Sequence, residues 1–508
     1  MKRSLRRTGA TLATRSAWWV ISFTGLLLAA ASADTKSKSA ASPKSREPAR
    51  LNDSIHKLLG RPQLKGTTVG VHVVRLSDGK TTFEHQADRL FVPASNTKLL
   101  TTAAALVELG PDYQFRTEVG TSGRDLVVVG GGDPTIGGRL TGGDPTIYFR
   151  RWAKVLKEHR LTQIAGNLLL DDSFFDRQLT HPHWPPSDLG HWYAAPIAAL
   201  SLNDSCVDVR IAPGPKAGSA ATVTLIPNTR YLEFANRATT VASANEHAPR
   251  VARGGAGRVI QCDGGVYVHS QPSTSWLAVD DPVLYFGTVL REVLAEEGVK
   301  IAGEIRRAPG AGKRPEFQPR VVHRFRLLPA LAVTNKESQN FYAEQILKTL
   351  GAEHGDGSWR GGRQAANLTL SKLGLDTNSY VLDDGCGLSR SNRASPRAFT
   401  ALLVAMHRGP HSTEFRETLA VAGVDGTMSK RLNAEPYRGR VWAKTGSISG
   451  VRAIGGYVHT RSDQWLAFSL LINNVRASVR TIQDDFCKLL VNCDDPAAVV
   501  RREREAVK

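Results

Sequence analysis

Between Thr67 and Leu76 apolar and polar positions alternate (TTVGVHVVRL), Ser77-Asp78-Gly79 supplies a turn, and a second extended run follows at 81–92. A period of two predicts strands, here joined as a hairpin. Pro93 then introduces ASNTKLLTTAAALVELG. These are good helix formers that stop at Gly110 with Pro111 beyond, so a helix is expected there. From about 113 to 320 the pattern is of short strands broken by glycines, with helical stretches at 148–159 and 283–298. The string GGDPTI occurs at 131–136 and again at 142–147. It is too short for a domain repeat and reads as two similar turns. Helices are expected around 338–350 and 395–407, three consecutive strands over 439–475, and a closing helix over about 476–491.

This order predicts a mixed α/β (α+β) chain. The first and last blocks would share one sheet, with the β-rich middle inserted into that domain. Residues 1–16 are basic without acids, 17–31 are apolar, and Ala31-Ser32-Ala33 is a small-x-small site. That is the three-part pattern of a secretory signal over residues 1–33, cleaved after Ala33. The alternative is an uncleaved anchor, for which the apolar stretch is short of the ~20 residues a span needs. Residues 34–50 are Ser, Lys, Pro and Ala without a large apolar side chain and read as a flexible linker. Residues 496–508 read as a charged tail.

Composition narrows the class. A chain of 508 residues with 41% hydrophobic and 22% charged residues is neither a polytopic membrane protein nor mostly disordered. The formal charge of +19 owes much to the leader and linker, which leaves a body of about +11. Such a body suits an anionic cell envelope. The chain has no zinc spacing, no RNP-like strand and no basic–aromatic stripe, so no nucleic-acid partner is expected. Five cysteines is an odd number, with Cys487/Cys493 and Cys206/Cys262 as the pairs that exported chemistry would allow.

The chemistry lies in three short motifs. Ser-x-x-Lys occurs at 54–57, 77–80 and 95–98, but only Ser95 opens a strong helix. There Lys98 lies one turn on, on the same face, within reach of the Ser95 hydroxyl. The helix N-terminus also favours a developing oxyanion. Ser-x-Asn occurs at 201–203, 243–245 and 338–340, and Lys-Thr-Gly once, at 444–446, in a strand region. Gly446 and Gly450 would let backbone or ligand approach closely. The 14 histidines show no HExxH and no triad pattern, so neither metal nor cofactor is expected.

In chain order, Ser95-x-x-Lys98, Ser338-Gln339-Asn340 and Lys444-Thr445-Gly446-Ser447 form the motif set of penicillin-recognising serine enzymes. With PASNTK, GGGDPTI, DDSFFD, ALSLND, NKESQNFYAEQIL, DGCGLSR and AGVDGTMSKRL, the chain from about Leu51 to Asn492 resembles the D-alanyl-D-alanine carboxypeptidase/endopeptidase family of penicillin-binding protein 4. It departs from that pattern at Cys386, Ser205 and Gln339, and Cys386 raises the question of a reactive thiol near the cleft.

The resemblance implies a β-lactamase/transpeptidase-like domain over 51–115 and 323–495, an antiparallel sheet flanked by helices. One or two inserted β-rich domains would occupy 116–322. It implies Ser95 as nucleophile, Lys98 as base with a pKa lowered by burial and by Lys444, and Ser338 as proton relay. Asn340, Lys444, Thr445, Gly446 and Ser447 would bind substrate, and Arg390 would hold the stem peptide. The expected partners are peptidoglycan stem peptides ending in or cross-linked through D-Ala, with β-lactams as inhibitors. The expected location is periplasmic, with peripheral envelope association. The other readings are a β-lactamase, for which no Glu-x-x-Leu-Asn segment is found, and a non-catalytic wall-binding protein of the same fold.

Overall fold

A computed structural model describes residues 47–253, 258–308 and 316–493. The signal segment and the charged tail lie outside the described residues, as does most of the expected linker. Its last four residues belong to the helix Glu47–Leu59 instead. That helix forms because Ile55 and Leu58, three apart, have an apolar face to bury against Phe468, Phe486 and Leu490.

The first and last blocks of the chain do share a sheet. Its six strands run Thr81–His85, Thr68–Arg75, Trp465–Asn473, Val451–His459, Val441–Ile448, Ala420–Val421, each antiparallel to its neighbour. The expected second strand ends early, at His85, because Gln86 turns into a left-handed conformation. One face of the sheet is covered by Glu47–Leu59 and the closing helix Arg480–Val491. The other carries helices Thr97–Leu109, Asn340–Glu353 and Pro396–Arg408. Two further helices, Leu327–Lys336 and Trp359–Lys372, were not foreseen. The second contains Gly361 and Gly362. Here they admit close packing, since a Cβ on Gly362 would lie 2.2 Å from the Leu347 carbonyl.

The Thr97–Leu109 helix lies at the centre, with every residue from Thr97 to Leu106 buried. Buried polar groups pin it in place: Asn335 Nδ2 donates to Thr102 Oγ1 at 3.0 Å and to Thr418 Oγ1 at 2.9 Å.

The chain leaves this body along Gln114–Ser122 and returns along Gln318–Arg326, and these strands pair antiparallel with Gln114 opposite Arg326. Between them stands a five-stranded mixed sheet packed on helices Ile147–Glu158 and Pro282–Glu296. One smaller sheet joins strands Ser273–Ala278, Cys206–Ala212 and Thr222–Ile226 in that order. Both GGDPTI strings are turns: the Asp133 and Asp144 carboxylates each accept from the backbone N–H and hydroxyl of the threonine two residues on.

Cys206, Cys262 and Cys487 carry free, buried thiols, so neither of the two possible pairings is a disulfide here. No helix among the described residues is long and apolar enough to cross a membrane.

Candidate active site

Ser95 lies on a 3-10 turn, Ala94–Asn96, that leads into the central helix. Ala94 is left-handed (φ 46°), which lifts the turn out of line with the helix that follows. Two glycines make room for it. A Cβ on Gly387 would lie 1.9 Å from the Ala94 carbonyl, and one on Gly446 would lie 2.9 Å from the Pro93 carbonyl and 3.2 Å from Ser95 N. Strand Val441–Ile448 thus abuts the serine turn at Gly446. Gly450 has nothing within 4 Å of a built Cβ, so its role is the positive φ (74°) of the hairpin turn and not close approach.

Lys98 is fully buried, and its Nζ has three neighbours: Ser95 Oγ at 3.1 Å, Asn340 Oδ1 at 2.7 Å and the Cys386 carbonyl at 2.8 Å. Two of these are pure acceptors. A neutral amine satisfies both with its two hydrogens and leaves its lone pair for the Ser95 hydroxyl. Burial lowers the Lys98 pKa and favours that neutral form, while Asp384 and Glu344 act in the opposite direction.

Asn340 opens helix Asn340–Glu353 and is held on its other side, Nδ2 donating to the Tyr193 carbonyl at 2.7 Å. Ser338, between two helices, is left-handed (φ 62°). Its Oγ accepts from Lys444 Nζ at 2.8 Å, and the same Nζ donates to the Thr445 carbonyl at 2.7 Å. Lys444 is fully buried, and burial together with the Lys98 charge pushes its pKa well below the usual lysine range. Lys444 was expected to lower Lys98. The repulsion between the two amines is mutual and disfavours charge on both, while Asp384 and Glu344 offset it at Lys98.

Thr445 Oγ1 donates to Thr427 Oγ1 at 3.0 Å. Among the described residues, only Trp442 and Ala443 of strand Val441–Ile448 are paired on the outer side, and none of those residues forms a strand beside that edge from Lys444 to Ser447. Arg390 is exposed at the rim, with Nη2 donating to the Ser449 carbonyl at 2.7 Å.

Sequence reasoning missed the support beneath Lys98. Glu344, fully buried, accepts from the N–H of Cys386 (2.7 Å), the N–H of Gly385 (3.0 Å) and Trp359 Nε1 (2.7 Å). Burial and Asp384 raise its pKa to about 7. Asp384 accepts from the N–H of Gly387 and Ser389 and from Trp184 Nε1. Cys386 is no reactive thiol: it is fully buried, and burial among carboxylates pushes its pKa far up.

His181, His183 and Asp383 form a second polar cluster, but its carboxylate is already met by Arg363 Nη1 (3.1 Å), Ser389 Oγ (2.5 Å) and His183 Nδ1 (2.8 Å).

The model of the D-Ala-D-Ala carboxypeptidase 3 (S13) family matches residues 51–492. The chain belongs to this family. It is 32% identical over 448 residues to the D-alanyl-D-alanine carboxypeptidase of Actinomadura sp. (strain R39), covering 83% of this chain and 81% of that one. It is 25% identical over 431 residues to the D-alanyl-D-alanine carboxypeptidase DacB of Haemophilus influenzae, covering 80% and 86%. In fold the family member resembles the crystal structure of penicillin binding protein 4 (dacB) from Haemophilus influenzae, with TM-score 0.72, 23% identity, and 86% and 98% of the two chains covered.

Proposed function

We propose that this member of the family is a serine D-Ala-D-Ala carboxypeptidase of peptidoglycan stem peptides, working through an acyl-enzyme on Ser95. The reading rests on one observation: Lys98 Nζ stands 3.1 Å from Ser95 Oγ with its other two positions taken by acceptors. Lys98 takes the hydroxyl proton as Ser95 Oγ attacks the carbonyl of the penultimate D-Ala. The backbone N–H groups of Ser95 and Ser447 hold the oxyanion.

Ser338 Oγ already accepts from Lys444, so its own hydrogen is available to the leaving amine; Lys98 passes the proton it took on to Ser338, which leaves both groups as they began. The C–N bond breaks, D-Ala departs and an ester remains on Ser95. Water then hydrolyses it with Lys98 again as base. Lys444 and Thr445 receive the terminal carboxylate, which restores to Lys444 the ammonium form that burial disfavours. The unpaired edge from Lys444 to Ser447 takes the substrate backbone as an added strand. Arg390, exposed beside that edge, meets the stem peptide.

The same acylation serves whether a free D-Ala or a cross-linking residue departs, so D,D-endopeptidase activity uses the same residues. A β-lactam acylates Ser95 by the same attack. The leader pattern of residues 1–33 supports export to the periplasm, where this substrate lies.

The test is a fluorescent penicillin applied to wild type and Ser95→Ala, with product analysis on purified muropeptides. Labelling and D-Ala release should both vanish in the variant; labelling that survives would reject the site.

A further inference from the structure

A cavity of about 650 Å³ opens beside the Ser338 turn, lined on one side by Glu337 and Gln339 and on the other by the inserted residues. We propose that it is a saccharide subsite, which takes the amino-sugar backbone to which the stem peptide is attached; the choice of sugar rests on the peptidoglycan reading above.

Two tryptophans line it with their rings open to solvent, Trp276 at 53% and Trp192 at 38% exposure. Large aromatic surface left in water is unfavourable, and indoles in a polar pocket offer flat apolar faces of the kind a sugar ring covers. Trp276 sits directly opposite Asp208 in the pairing of strands Ser273–Ala278 and Cys206–Ala212, so ring and carboxylate share one face. Asn203 ties the floor together: its Nδ2 donates to Asp208 Oδ1 at 2.9 Å, and its Oδ1 accepts from Gly138 N at 3.2 Å.

The turn that carries Asn203 is strained. Asn203, Asp204 and Ser205 are three consecutive non-glycine residues at positive φ (52°, 58° and 53°). Such conformations persist where surrounding structure holds a ligand site in shape.

The charges select the ligand class. Arg139 is the cation of the cavity, and it is already engaged by Asp204 and Glu337. With Asp208 the carboxylates number three to one guanidinium, which opposes an anion. A neutral polyhydroxyl ligand meets both demands, donating hydroxyls to carboxylates and amides while its ring faces cover the indoles.

The cavity also touches the chemistry at both ends. Gln339 adjoins Ser338 in sequence. Trp192 lies edge-on to Tyr193 at 5.8 Å between ring centroids, and the Tyr193 carbonyl holds Asn340.

The test uses two measurements. The first is binding of the N-acetylglucosaminyl-N-acetylmuramic acid disaccharide, without peptide and with its lactyl carboxyl capped as the amide so that it is neutral, to the mature Ser95→Ala chain, read by tryptophan fluorescence. A saturable change should appear and weaken about tenfold in Trp276→Ala and in Trp192→Ala. The second is the ratio of kcat/KM for disaccharide-linked pentapeptide to kcat/KM for the free pentapeptide, with the Ser95 chain. That ratio should fall about tenfold in Trp276→Ala and recover in Trp276→Phe.

A ratio unaltered in both tryptophan variants overturns the proposal. So does a ratio that follows a free side-chain amine on the peptide and not the sugar, which would make the cavity a cation site. The fluorescence arm with Trp192→Ala decides the matter if Trp276→Ala fails to fold. Failure of the underlying enzymatic reading shows separately, as penicillin labelling that survives Ser95→Ala whatever the tryptophan variants do.

Discussion

Glu344 Oε1 accepts the backbone N–H of Cys386 at 2.7 Å, and the carbonyl of that same residue accepts from Lys98 Nζ at 2.8 Å. A carboxylate on one helix thereby sets the position of an amine on another through a single residue of a loop. Glu344→Gln turns an amide N–H₂ toward donors that need an acceptor. We expect kcat to fall about tenfold and the protein to lose roughly 1–3 kcal/mol. Steady-state kinetics with chemical denaturation checks both.

The same carboxyl gives a pH signature. Its folded pKa is raised, from 4.5 to about 7. Its contribution to stability is therefore fully present below the unfolded value and is lost as pH rises through the folded one. Over that window wild type should lose roughly 3 kcal/mol that Glu344→Gln does not. Thermal midpoints at acid and alkaline pH should show the variant gaining on wild type as pH rises. A constant gap would contradict the assignment.

Asn340→Asp adds a negative charge in direct contact with Lys98 to those of Asp384 and Glu344, and faces the Tyr193 carbonyl with an oxygen. The charge favours the ammonium form and raises the Lys98 pKa. The acid limb of kcat/KM should move up by about one unit, with kcat down about a hundredfold at neutral pH. A pH–rate profile of both enzymes reads this. Lys444 acts on the other limb: its lowered pKa means that KM should rise with pH sooner than an ordinary lysine would allow, as the amine loses the charge that holds the carboxylate.

Glycines near the site should respond unequally. Gly387→Ala sets a Cβ against the Ala94 carbonyl at positive φ (86°), and about 3 kcal/mol or more of stability should go with it. Gly450→Ala, at positive φ in open space, should cost only about 1–2 kcal/mol. Denaturation midpoints of the two variants decide.

Cys386→Ser should keep activity within about twofold, because the buried thiol accepts weakly from Leu388 N at 3.4 Å and donates weakly to Asp384 Oδ2 at 3.6 Å, two bonds that a serine hydroxyl also makes. Folded protein should resist iodoacetamide at this position, read by peptide mass spectrometry. Rapid alkylation would show the thiol to be open.

Much of the scaffold was legible because strong local patterns survive in tertiary structure. The hairpin at 67–85, the helix after Pro93 and the three closing strands each combine clear periodicity with Gly or Pro punctuation. Trp359–Lys372 was lost because paired glycines mask a helix whose reason for being is close packing. At the site, Ser95, Lys98, Asn340 and Lys444 stand out as short motifs of reactive side chains. Glu344 and Asp384 do not. They act on backbone N–H groups, and nothing in sequence separates a carboxylate buried beneath a loop from one in water. The leader, tail and most of the linker lie outside the described residues.

The paired strands Gln114–Ser122 and Gln318–Arg326 make the middle of the chain look detachable, as if a scissors cut across one ribbon would free it. Two threads run the other way. Tyr193 lends its carbonyl to Asn340, and Trp184 lends its indole hydrogen to Asp384. Excising the insert would take an acceptor from the amide that holds Lys98 and a donor from the carboxylate beneath its loop, so the ornament is also a wall of the room.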